Sequence, residues 1–144
     1  MTYLPIETPC PQPEPWEEPF WRHCSERRLC FQSCADCGTV RHPPMPVCAR
    51  CQSDSIAWVE ASDDPEIYSY TIIHQANHEA LADVTPYNAA IVIFPATQSV
   101  RLVSNIIDCA PDDLAIGMQL SLVWEEVRPD FIVPRFRPSR DART

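Results

Sequence analysis

Four cysteines stand out by their spacing: Cys34 and Cys37, then, after ten intervening residues, Cys48 and Cys51. Two C-x2-C pairs in one short window are the usual way for four thiolates to reach the corners of a tetrahedron around one ion. The tight turn within each pair aims two sulfurs at the metal and leaves backbone N–H groups to hydrogen-bond them. Gly38 follows the first pair, at a position that often needs a positive φ. The gap between the pairs is shorter than usual for this pattern, yet it suffices for a short hairpin stiffened by Pro43, Pro44 and Pro46. Four thiolates leave no position open for water, so such a site staples a fold and hydrolyses nothing. Structural zinc is therefore expected. Iron is the alternative metal, and a pair of redox disulfides is a third reading, weakened because pairs this close compete for one ion.

Little else in the chain has the spacing of a catalyst. Cys10, Cys24, Cys30 and Cys109 lack metal spacing; Cys24 and Cys109 read as small core residues, and Cys30 as a strand residue rather than a fifth ligand. His74 and His78 are four residues apart, but they straddle a strand end and a loop with no third ligand. Arg41 and His42 lie at the rim of the cysteine hairpin and are candidate contacts for an anionic ligand, the plainer reading being exposed loop residues. The acidic pairs, such as Glu125-Glu126, are adjacent in sequence, and neighbours on a strand point to opposite faces, so they form no acid–base dyad. No Ser-His-Asp or Cys-His arrangement is evident. Two glycines, where average usage would give roughly ten, exclude Gly-rich phosphate loops and nucleophile elbows. The absence of lysine excludes Schiff-base chemistry. A binding or accessory module fits better than a freestanding enzyme.

The elements that must position these residues follow from the pattern. Residues 1–15 hold five prolines and read as an extended or disordered arm. Over 16–28 the period is helical, with Trp16, Phe20, Trp21 and Cys24 on one face and a start near Glu17 or Glu18. That face either packs on its own domain or, being rich in aromatics, serves as a hot-spot surface for a partner. Leu29 to Ser33 reads as a strand into a ribbon spanning 29–54. Over 55–137, β runs at Ser55–Glu60, Ile67–Ile73, Ala89–Phe94, Val100–Ile107, Gln119–Val127 and Ile132–Phe136 predict a small antiparallel barrel. The loop from His74 to Tyr87 has room for one helical turn. Residues 138–144 form a basic tail. The fold class is thus mainly β, with one N-terminal helix.

The net charge is −9, and the last ten residues carry +3 of it, which leaves −12 on the rest of the chain. A body so acidic repels phosphate backbones. No apolar run approaches the roughly 18 residues of a membrane span, and the N-terminus lacks the basic start and apolar run of a secretory signal. A cytoplasmic protein is expected.

The runs Leu29-Cys30-Phe31-Gln32-Ser33-Cys34-Ala35-Asp36-Cys37-Gly38-Thr39-Val40-Arg41-His42-Pro43-Pro44 and Pro46-Val47-Cys48-Ala49-Arg50-Cys51 resemble a known family. It is the acyl-CoA-associated zinc-ribbon/OB-fold family, long catalogued as a domain of unknown function. Ile67-Tyr68-Ser69-Tyr70-Thr71, Ile116-Gly117-Met118 and Val133-Pro134-Arg135-Phe136 continue the likeness, which covers roughly residues 16–137. Gln52, where the family often has glycine, and Asp63-Asp64-Pro65, in a turn often glycine-rich, depart from it. The resemblance implies an N-terminal helix, a rubredoxin-like zinc ribbon and an OB-fold. It also implies a non-catalytic subunit beside a thiolase, a lipid-transfer-protein-type aldolase or another acyl-CoA enzyme, in a hetero-oligomer of two plus two. On that reading Trp16, Phe20 and Trp21 meet the partner, Arg41 and His42 help hold coenzyme A, and the substrate is a bulky acid or steroid side chain. The alternatives are a subunit of an enoyl-CoA hydratase, or a single-stranded nucleic-acid binder, as OB-folds often are.

Overall fold

A computed structural model describes residues 2–140. Helix α1 (Glu18–Ser25) has Pro19 in its first turn, where the missing N–H has no partner to lose, and sets Phe20 and Cys24 one turn apart on its inner face. Arg27 then takes a φ of 55°, and the N–H groups of Arg27 and Arg28 bond the carbonyls of Cys24 and His23 at 2.9 Å. That left-handed cap ends the helix before the limit at residue 28 that periodicity suggests.

Strands β1 (Cys30–Cys34), β2 (Val40–Arg41) and β3 (Ile56–Glu60) form an antiparallel sheet in the order β2-β1-β3, with the cysteines at its open end. The run read in sequence as the first barrel strand is β3. It pairs along its whole length with β1, from Cys30 opposite Glu60 to Cys34 opposite Ile56.

Strands β4 (Glu66–Ile73), β5 (Tyr87–Phe94) and β6 (Val100–Ser104) form a second antiparallel sheet, and β7 (Leu120–Arg128) and β8 (Phe131–Pro138) a hairpin. Among the described residues, the sheet and hairpin backbones pair through isolated bridges, Glu66 with Gln119 and Ile106 with Phe136, rather than through a continuous ladder. The OB-fold expected from sequence is present, but its sheets do not close into the continuous barrel. Strand β8 carries Pro134 and Pro138, which have no N–H to offer, so it cannot present a full ladder on both edges.

One core runs through both parts. Phe31 of β1, Phe94 of β5 and Phe136 of β8 are all buried, with ring centroids 5.1 and 6.0 Å apart in edge-on pairs. Ile67, Val92 and Ile106 are fully enclosed beside them. Side chains of this size stabilise a fold by about 1.5–3 kcal/mol each when buried.

The N-terminal arm carries one turn, closed by the Thr8 N–H on the Pro5 carbonyl at 3.0 Å, and is tied down. The Tyr3 hydroxyl accepts hydrogen bonds from the Asn88 backbone and side-chain nitrogens at 3.1 and 2.8 Å, and the Tyr3 N–H donates to Glu125. Further along, Arg128 Nη2 donates to the carbonyls of Ile6 and Thr8 at 3.2 and 2.9 Å. The loop after β4 contains one 3-10 turn, Glu79–Leu81, capped by His78 Nδ1. Of the basic tail, residues 141–144 lie outside the described residues. Among the described residues, no helix is long and apolar enough to cross a membrane.

Candidate metal centre and the adjoining cavity

Each cysteine pair closes on itself in the same way. In the first, the Gly38 N–H bonds the Cys34 carbonyl at 2.8 Å and the Cys34 N–H bonds the Thr39 carbonyl at 2.9 Å. In the second, Gln52 N–H bonds the Cys48 carbonyl at 2.8 Å and Cys48 N–H bonds the Ser53 carbonyl at 2.9 Å. Gly38 and Gln52 both sit in the left-handed region, at φ of 74° and 63°. The missing glycine therefore does not undo the second turn; glutamine adopts the geometry at a cost of roughly 1–2 kcal/mol. A hydrogen bond from the Ser53 hydroxyl to Asp36 ties one turn to the other.

The donor set fits a tetrahedral thiophilic ion. Zinc–sulfur bonds of about 2.3 Å place tetrahedral corners roughly 3.8 Å apart. The sulfurs of Cys34 and Cys51 are 3.5 Å apart, those of Cys37 and Cys48 3.7 Å, and all four lie within 4.8 Å of one another. Backbone N–H groups of the turns hold the Cys34 and Cys48 thiols below their ordinary range, and the Thr39 hydroxyl does the same for Cys37. At Cys51 the Ser53 N–H also favours the thiolate, but the other three sulfurs and local burial together outweigh it and push the thiol up to about 12. Four negative sulfurs at this separation need a cation between them, and a dication of zinc's size supplies it.

Arg41 and His42 are not placed on an open rim. Arg41 Nε donates to the buried Gln32 side chain at 2.6 Å and its Nη2 reaches the Met45 carbonyl at 3.5 Å. The His42 ring lies 4.8 Å from Phe20 and 5.5 Å from Phe31. Burial pushes its pKa down to about 4, against a smaller upward pull from Glu17, so the ring is neutral at pH 7. The aromatic helix face divides as well. Phe20 is buried in the chain's own core, which removes it from an exposed partner face. Trp21 is half-buried against Phe131 at 5.0 Å, and Trp16 is exposed.

Behind this face lies a half-open cavity of about 620 Å³. The helix and the His42–Pro44 loop form one wall, β6 and the β7–β8 hairpin the others, and the arm from Leu4 to Pro11 runs along it.

Comparison with known proteins agrees with this architecture. Residues 21–57 match the ChsH2 rubredoxin-like zinc ribbon domain and residues 58–125 the ChsH2 C-terminal OB-fold domain. Two proteins named DUF35 domain-containing scaffold protein, from Methanocaldococcus jannaschii and Methanothermobacter thermautotrophicus, are 31% and 32% identical over 112 residues. Those matches cover 76% of this chain and 77% and 82% of theirs. The chain belongs to the DUF35 family.

A Thermomonospora curvata protein named as a probable enoyl-CoA hydratase alpha subunit is 41% identical to this DUF35 chain over 121 residues. That match takes in 83% of this chain but spans only 37% of the relative. A solved structure described as the Ltp2-ChsH2(DUF35) aldolase has a chain that superposes with a TM-score of 0.80 at 38% identity, over 90% of this chain and 98% of that one. A DUF35 protein of unknown function from Sulfolobus solfataricus shares the fold, at 22% identity and a TM-score of 0.61 over 87% of this chain.

Sequence reasoning missed the polar cluster that anchors the arm to this DUF35 fold. Arg135 bonds Glu125 at 2.6 Å and Asn105 at 2.7 Å, and Glu125 in turn accepts from Tyr3. Asn88 bonds the Tyr3 hydroxyl and, at 2.7 Å, the Ile106 backbone on both sides. It also missed Gln98, whose amide bridges the Val40 N–H and the Gly38 carbonyl and so links ribbon to OB-fold. Partners 10 to 122 residues apart, on different strands and the arm, carry no local signature; the one usable hint was Asn88 at an otherwise apolar strand position.

Proposed function

We propose that this DUF35 chain is a non-catalytic zinc-ribbon subunit of an acyl-CoA-processing complex. Its partner is a thiolase-fold enzyme of the lipid-transfer-protein aldolase type, acting on a bulky acid or steroid side chain. The observation that carries this reading is the superposition on nearly the whole of the small chain of the Ltp2-ChsH2(DUF35) aldolase. The chemistry of this chain supports it: a metal site of four thiolates offers no open position. The partly buried carboxylate of Glu125 is spent on an ion pair with Arg135. A subunit without reacting groups contributes by holding its partner in a working shape. The exposed Trp16 and the half-buried Trp21 are the contacts assigned to that interface, in a two-plus-two assembly. For coenzyme A, the proposal keeps Arg41, whose guanidinium can pair with phosphate, and sets aside His42, which is neutral and packed. A hydratase partner is the second reading, favoured by the name of the Thermomonospora relative.

The test is affinity purification of the tagged chain from its native cells at endogenous level, with mass spectrometry and light scattering of what co-elutes. A thiolase-like protein in near-equal amount supports the first reading, and a hydratase-like one the second. Recovery of neither overturns both.

A further inference from the structure

The cavity beside the helix has a composition out of keeping with the rest of the chain. In a protein of net charge −9, its charged lining is three arginines, Arg101, Arg128 and Arg135, against one carboxylate, Glu17. Arg135 is neutralised by Glu125 at 2.6 Å. Arg101 and Arg128 have no carboxylate partner among the described residues: Arg101 lies over the Tyr68 ring at 4.8 Å, and Arg128 bonds only the two arm carbonyls. Most of the remaining lining is apolar. Ile91 and Val103 face each other across β5 and β6, and Val103, at 69% exposed, is an unusually open valine for a strand centre. A volume of about 620 Å³ falls within the usual range of small-molecule sites, which are mostly apolar with a few polar groups that fix orientation.

We propose that this cavity binds an amphipathic carboxylate, its apolar body against Ile91, Val103 and Phe131 and its head between Arg101 and Arg128. Two guanidinium groups without a carboxylate partner in the lining of a mostly apolar cavity favour a molecule with both features. A cation is repelled by the arginines, and a small carboxylate finds the charge but loses the apolar burial. Arg128 also holds the Ile6 and Thr8 carbonyls, so the arm closes along one side of the ligand. Trp21, assigned above to the partner interface, also lines this cavity, and the ligand site is proposed for the chain by itself.

The test is isothermal calorimetry on the full, zinc-loaded chain, with dodecanoate, dodecyltrimethylammonium and acetate as probes. Saturable binding of one dodecanoate per chain is expected, with the ammonium and acetate at least about tenfold weaker. The acidic surface favours the ammonium non-specifically, which makes the comparison a stringent one. R101Q and R128Q are each expected to weaken dodecanoate about tenfold, and V103E, at an exposed position that does not burden folding, to abolish it. Failure of dodecanoate to saturate overturns the proposal, as does equal affinity for the ammonium or undiminished binding by V103E. Any of these leaves the cavity as a surface for a protein.

Discussion

The tip of the ribbon and the OB-fold are held together by different means. Around the cysteines, from Thr39 to Ser55, Met45 and Val47 point to solvent and only Pro44 and Cys48 are enclosed. No hydrophobic core forms there, and the metal site takes its place. In β1 and the OB-fold the opposite holds, with Phe31, Phe94 and Phe136 in one enclosed cluster. A segment of some seventeen residues is too short to bury enough apolar area on its own, so an ion does what packing does elsewhere.

Metal removal should break the comparison most sharply. Chelation, or Cys48→Ser, should unfold the ribbon tip while the OB-fold keeps its strands. Structural zinc is worth on the order of 10 kcal/mol to comparable small modules. Limited proteolysis between residues 39 and 55, alongside circular dichroism, checks this, and elemental analysis should find one zinc per chain in colourless protein. Phe31→Ala attacks the other side, at the base where ribbon and OB-fold share a core. A loss of about 3–5 kcal/mol is expected in denaturant unfolding, with metal retained.

A titration sharpens the boundary. His42 is packed between α1 and β1, with its pKa lowered from 6.5 to about 4. The unfolded chain therefore binds a proton that the folded one does not between those values. Stability from this residue is fully present above pH 6.5 and is lost as pH falls towards 4, by about 2–3 kcal/mol. Acid also releases thiolate-bound metal, so the readout is the difference between the native chain and His42→Phe, whose profile should be flatter over that window.

The smallest effect lies inside the metal centre. Gln52→Gly should stabilise by about 1 kcal/mol, and Gly38→Ala should cost about the same. At Gly38 a Cβ meets nothing within 4 Å, so the cost is backbone strain alone. Denaturation midpoints of zinc-loaded protein measure both.

What could be read in advance tracks how local the information is. Cysteine spacing located the metal centre because the ligands of one turn are three residues apart. The stripe of Phe20 and Cys24 marked a helix face, but nothing in it says whether that face meets its own core or another protein; Phe20 turned out to be core. Strand β3 was visible as a β run, yet its partner is decided by packing against Cys30–Cys34 rather than by its own residues. The prolines of residues 1–15 suggest an extended or disordered arm, while the anchors that hold it, Asn88, Glu125 and Arg128, lie more than eighty residues away. Gln52 departs from the glycine often found there in the family, and the structure shows the same turn carried by a strained glutamine.

The row of rings from Phe31 through Phe94 to Phe136 also has a mechanical meaning. Phe94 touches both ends of the row, so a change of its volume is felt at the base of the ribbon and in the β7–β8 hairpin at once, because close-packed interiors transmit strain.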